Sequence, residues 1–431
     1  MDDIARSGTC RELWFVIPFL LFIFYLATPY NLSWPRDVEY KKNIIQVNEA
    51  ISRMERGNIG RRAGLVILAA FGVFLLARTR NRFRINGLLG LLLIVYVLWS
   101  VLSLLWSIDQ MFTLRRLVTF LILWFAAIAM AARYSIKELA IIGFCICGIT
   151  GLLGFANEIR LHTLDPFNES WRFSGVFHTV TMGWNCGLWA LCSFYLATIS
   201  SSRGAKAFFY GAMMVALVLL LLTKSRMAVA STFICLTLFW FMVSSARTIL
   251  ATVMLALVVL CSSYLVLGDK VIEYGEAATT LGRGESARES VGTLTGRLPL
   301  WKECFRWAVK RPILGYGFNT FISPKHYVEI TKNVGWTPSS IHSGYIDALM
   351  GLGFVGLSVL LGVLAAALFR AFTLAKNNVS YTLVFCCLIW LCYNIFLEAN
   401  LLIRPTFMTF VMLMFLAHLA FLPAERAEAG I

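Results

Sequence analysis

Familiar chemical signatures are scarce in this sequence. It has no HExxH, no CxxC pair, no paired-carboxylate metal motif, no GxxxxGK[ST] phosphate loop and no GxSxG elbow. Metal, nucleotide and serine-hydrolase chemistries therefore lose support. Charge is scarce too, at 14% of 431 residues, and there are only five histidines. Long polar stretches are rarer still, with one interruption of about 77 residues, 268–344, in an otherwise apolar chain. No internal repeat or low-complexity tract is visible, nor the doubled halves of many transporters.

What is present in abundance is apolar surface. A hydrophobic content of 59% and a mean hydropathy of +0.75 exclude a soluble fold, and apolar runs of about 17 to 24 residues match the hydrocarbon thickness. The fold class is all-α, a polytopic membrane protein. Spans are expected near 13–31, 63–77, 86–106, 117–132, 139–156, 175–198, 207–223, 227–244, 248–267, 345–369, 380–397 and 405–422, about twelve helices. They divide the chain into an N-terminal set of nine helices (1–267), an outer loop subdomain (268–344) and a C-terminal set of three (345–431). The N-terminal run reads as a retained helix, because no small-residue cleavage site follows it.

Lysine and arginine orient the bundle, since they accumulate in short cytoplasmic loops. The run from Arg78 to Arg84, Arg133 with Lys137, Arg203 with Lys206, Arg247, and Arg370 with Lys376 share one face. That face is cytoplasmic and holds both termini, which puts 268–344 on the periplasmic side. Residues 32–62, with Arg36, Lys41, Lys42, Arg53, Arg56, Arg61 and Arg62, oppose this count. Either they form an interfacial amphipathic helix with Ile44, Val47, Ile51 and Met54 on its apolar face, or the first span is misplaced. The net charge of +15 suits anionic lipids and requires no nucleic acid. Of eleven cysteines only Cys304 lies in the long outer segment, so no disulfide framework is expected there.

In the outer segment, Leu300 to Val309 places Trp301, Phe305, Trp307 and Ala308 for an amphipathic helix, ended by Pro312 and the GYG at 315–317. Arg297 opens that helix, either to bind an anion or to pair with Glu303 or another carboxylate of the loop. Arg226, beside Lys224, sits where one apolar run meets the next, a costly place for charge unless paired, hydrated or bound to an anion. Its planar fork suits phosphate; snorkelling at a helix end is the plainer role. Arg172 lies at the outer entrance of the sixth span. His342 stands just before the tenth span, suited either to a structural hydrogen bond or to taking a proton from a sugar hydroxyl. His178 is its rival, with His162 and His326 behind, and Tyr345 lies three residues on from His342. Glu398, Asn394 and Asn400 cluster near the end of the eleventh span, where they fit a glycan groove or a transport path.

Four stretches resemble the O-antigen ligase and polymerase superfamily of bacterial envelope proteins, especially its exopolysaccharide polymerase branch. They are LSLLWSID at 102–109 with TLRRL at 113–117; RFSGVFH at 172–178; KSR at 224–226; and TGR at 295–297 through GYG to IHSGYID at 341–347 and GLGFVG at 351–356. After Phe177 the chain departs from the pattern, with HTVTMG in place of a Pro-Asn or Lys-Asn pair. The resemblance implies a GT-C-like, metal-independent, inverting glycosyltransferase of the bacterial inner membrane, needing no cofactor. It would take glycan from an undecaprenyl diphosphate carrier to a glycan or lipid acceptor on the periplasmic side, alongside chain-length and export proteins. His342 would be the base, with Arg226 and Arg297 as catalytic cations; Arg172, Lys224, Tyr345 and Trp301 would bind substrate. A polymerase is the first expectation, a ligase acting on lipid A core the second. A transporter or flippase without covalent chemistry is the third.

Overall fold

A computed structural model describes residues 2–27, 58–79, 83–168, 171–267, 297–336, 338, 340–398, 405–423 and 425. Among these residues the regular structure is helical and no strand occurs. The helices are α1 (Asp2–Ala27), α2 (Ile59–Arg78), α3 (Gly87–Leu102), α4 (Gln110–Arg133), α5 (Ile136–Arg160), α6 (Thr179–Ile199) and α7 (Arg203–Leu222). They continue as α8 (Arg226–Val243), α9 (Ala246–Leu267), α10 (Arg297–Ala308), α11 (Pro324–Val334), α12 (Gly344–Ala375), α13 (Val379–Leu397) and α14 (Phe407–Phe421). Each of the twelve expected spans coincides with a helix. Among the described residues eight helical segments, in α2 to α5, α7, α8, α12 and α13, are long and apolar enough to cross a membrane, fewer than the twelve spans expected, while the apolar parts of α1, α9 and α14 are shorter. The proposed interfacial helix at 32–62 falls mainly outside the described residues, as does the first part of the outer loop, 268–296.

The helix starts follow from local chemistry. Asp109, Ser202, Asn378 and Thr406 accept bonds from the backbone N–H groups of Phe112, Ala205, Ser380 and Thr409. These side chains satisfy donors that a helix N-terminus leaves without an intrahelical partner.

The chain packs as two compact units, 1–146 with 296–430, and 147–295. In the first, α14 is buried at every position from Phe407 to Ala420, as a helix apolar on every side apart from Thr409 and His418 should be at the centre of a bundle. Helices α3, α4, α12 and α13 pack against it. In the second, α6 is the buried helix, with α7 and α8 against it. Only Ala216, Leu219 and Leu220 of α7 are buried, leaving most of its apolar side chains outward.

The lobe formed by α10 and α11 is fastened to a break in α12. Gly353 has φ 68° and ψ −170°, which only glycine adopts without strain. Freed there from the helical ladder, the carbonyls of Met350 and Gly351 accept from the N–H groups of Tyr316 (2.8 Å) and Gly317 (2.9 Å). In return the Phe354 N–H donates to the Pro312 carbonyl at 2.8 Å. The GYG segment therefore does more than end a helix, because it plugs the lobe onto the membrane bundle. Inside the lobe the His326 ring lies among Trp307, Tyr316 and Phe321. Burial lowers its pKa, against the bond to the Phe321 backbone that raises it. Glu303 is also buried, which by itself would raise its carboxyl, but hydrogen bonds from Asn333 and Trp307 and the Arg306 guanidinium hold it below its usual value.

Two outcomes are expected. A Cβ at position 353 would run into the Ile313 carbonyl. Gly353→Ala should therefore destabilise the protein by more than about 2 kcal/mol and lower its melting temperature in detergent by several degrees. Second, the unfolded chain protonates His326 at a pH where the folded ring resists it, so stability falls as pH drops below the unfolded value of 6.5. The melting temperature should drop between pH 7.5 and 5.5, and His326→Phe should shrink that drop.

Candidate functional site

In the second unit a buried carboxylate holds the loop that carries Arg172. Glu158, at the end of α5, is 2% exposed. Its Oε1 accepts from the backbone N–H groups of Ser174 (2.9 Å) and Gly175 (2.8 Å), and from the Ser174 hydroxyl at 3.3 Å. The loop carrying Arg172 is thus clamped on one side. On the other it joins the turn between α7 and α8. Phe173 N–H donates to the Leu222 carbonyl at 2.9 Å, and Arg172 Nε to the Thr223 carbonyl at 3.1 Å. Gly175 has φ 57°, and a Cβ there would lie 2.9 Å from the Gly154 Cα, so the loop lies close on α5.

The three cations expected in this region share that turn. Lys224 is 8% exposed, adopts φ 49° and donates from Nζ to the Asn168 carbonyl at 2.9 Å. It is therefore a buried brace between loop and turn, and not a snorkelling side chain. Arg226 is the first residue of α8 and is half-buried, while Ser225 makes no side-chain cap bond there. The first N–H groups of α8 open beside a guanidinium, an arrangement that attracts anions.

In the first unit His342 and Arg297 meet on one carboxylate. Arg297 NH2 donates to Glu398 Oε1 at 2.8 Å, and His342 Nδ1 lies 3.3 Å from the same oxygen. Glu398 is 5% exposed. Burial lowers the Arg297 pKa, with the Glu398 charge acting the other way. His342 has φ 55°, a left-handed conformation uncommon for a non-glycine residue, which turns the chain just before the α12 cap at Ser343. The Trp336 ring stands 6.1 Å from the imidazole. Trp301 donates its indole N–H to the Ile341 carbonyl at 2.9 Å, so it holds the His342 backbone from below. Tyr345 donates its hydroxyl to the Cys392 carbonyl at 3.0 Å, and both aromatic rings border Phe396.

Two expectations change here. Arg297 pairs with Glu398 at the end of α13, whereas Glu303 takes Arg306, Trp307 and Asn333. Of the rival histidines, His178 caps α6 by accepting from Val180 N–H, His162 sits in the turn after α5, and His326 lies in the lobe's aromatic cluster. The residues whose role went unread are the carboxylates. Glu158 was one acid at the end of an apolar run, and such a lone charge near hydrocarbon is itself a signal. Glu398 stood out only as part of a polar group whose Asn400 lies outside the described residues.

A many-helix protein with arginines and a carboxylate-held histidine in its loops defines the class, a polytopic membrane protein. Residues 188–361 match the model of the O-antigen ligase family. The match bears out the resemblance to the O-antigen ligase and polymerase superfamily. The matched stretch contains Arg226, Arg297 and His342, whereas Arg172, Glu158 and Glu398 lie outside it. No curated protein matches the chain.

Glu158→Ala would strip the acceptor from two buried N–H groups. A loss of about 2–4 kcal/mol is expected, with faster proteolysis within 168–177; thermal unfolding and cleavage mapping measure both.

Proposed function

We propose that this protein is a glycosyltransferase that joins undecaprenyl diphosphate-linked repeat units on the periplasmic face of a bacterial inner membrane, as a polysaccharide polymerase crossing the membrane twelve times. The observation that carries this reading is the meeting of Arg297 and His342 on one carboxylate just before α12. It supplies a cation for phosphate and a base for a hydroxyl side by side.

The chemistry follows from charge. The acceptor oxygen attacks the anomeric carbon as the bond from that carbon to the diphosphate oxygen breaks. The electron pair leaves with undecaprenyl diphosphate, and the acceptor's proton passes to His342. Arg226 and Arg297 stabilise the charge that develops on the leaving group; Arg172 and Lys224 add positive charge for binding it. Trp301 and Tyr345 support the aromatic wall along which the sugar is presented. One displacement inverts the anomeric carbon, and the cations take the part that a divalent ion plays elsewhere. Transfer to lipid A core is the second reading, favoured by the ligase description of the matched family. Chain-length and export proteins are the expected partners of the polymerase.

The test is a kinetic series on purified protein with a lipid-linked repeat unit. Arg226→Ala and His342→Ala should each lower kcat by about 100- to 1000-fold, and NMR of the wild-type product should show an inverted linkage. Unchanged rates, or retention, would overturn the mechanism.

A further inference from the structure

An ionised carboxylate can only accept hydrogen bonds. Glu398 pairs with the Arg297 guanidinium, which donates to it at 2.8 Å, and its Oε1 faces His342 Nδ1 at 3.3 Å. The hydrogen of a neutral imidazole then belongs on Nδ1, and the lone pair on Nε2. We infer that Glu398 is a positioning residue of the transfer reaction, fixing the His342 tautomer so that Nε2 receives the acceptor's proton and steadying the imidazolium that results.

This rests on the transferase reading above and adds to it a residue beyond the matched domain. The charged groups at the ring are Glu398, from the end of α13, and Arg297 behind it, from the start of α10; the neighbour from the end of α11 is the uncharged Trp336. The chain geometry fits a fixed role. The ring is held by the left-handed backbone of His342, by the Trp301 bond to the preceding carbonyl and by Glu398, which leaves one nitrogen for substrate. Removing a carboxylate that orients a histidine costs rate through the wrong tautomer more than through binding.

The experiment compares wild type, Glu398→Gln, Glu398→Asp and His342→Ala in the same assay, with kcat measured against pH. Glu398→Gln should lower kcat by at least about 10-fold with little change in the donor KM. The acid limb of its profile should move to lower pH, because the ring loses a neighbouring negative charge and gives up its proton more readily. Glu398→Asp, which keeps the charge, should hold the acid limb near its wild-type position even where packing lowers the rate. An inactive His342→Ala beside a Glu398→Gln with unchanged kcat, or with reduced kcat and an unmoved acid limb, would overturn the inference alone. A His342→Ala as fast as wild type would overturn the transferase mechanism itself, and this inference with it.

Discussion

A carboxylate kept out of water has to be neutralised where it sits, and at Glu398 that requirement draws together residues 56 and 101 positions away in the chain. Arg297 comes from the outer lobe, His342 from the approach to α12, and Glu398 itself from the end of α13. None of the three could hold this geometry alone. The rest of the first unit keeps them in place: the broken turn at Gly353 fastens the lobe to α12, and α14 gives the bundle a dry centre.

The second unit obeys the same rule with different partners. Glu158 is neutralised in part by hydrogen bonds, taking the N–H groups of a glycine-containing loop. The result is a loop carrying Arg172, pinned to the end of α5 on one side and on the other to the turn that holds Lys224 and leads into Arg226. In the first unit the buried acid takes basic side chains, and in the second it takes the backbone of the loop that carries Arg172. A charge this close to hydrocarbon is expensive unless it is satisfied, so the carboxylates set where the cations stand.

Much of this was legible in the sequence. Apolar runs located the helices because helical length and bilayer thickness are fixed quantities, and Arg226 and Arg297 do open α8 and α10 as their positions suggested. The partners were not legible. Glu303 was the nearest acid to Arg297 in sequence, yet α10 turns it toward Trp307 and Asn333. Lys224 stood beside Arg226 where two apolar runs meet, and its spacing gave no sign that a left-handed backbone folds it inward to the Asn168 carbonyl. The Gly353 break hid inside an apolar run whose periodicity gave no sign of a non-helical residue. Each of these depends on contacts between distant segments, which spacing along one chain does not encode.

The property on which every role assigned to these residues depends is glycan transfer by the protein. Purified protein in liposomes with chelator, given an undecaprenyl diphosphate-linked repeat unit as its only glycan, should yield a ladder of longer lipid-linked chains on a carbohydrate gel. A gel with no product, both in that reaction and in a parallel one supplied with lipid A core, would contradict it.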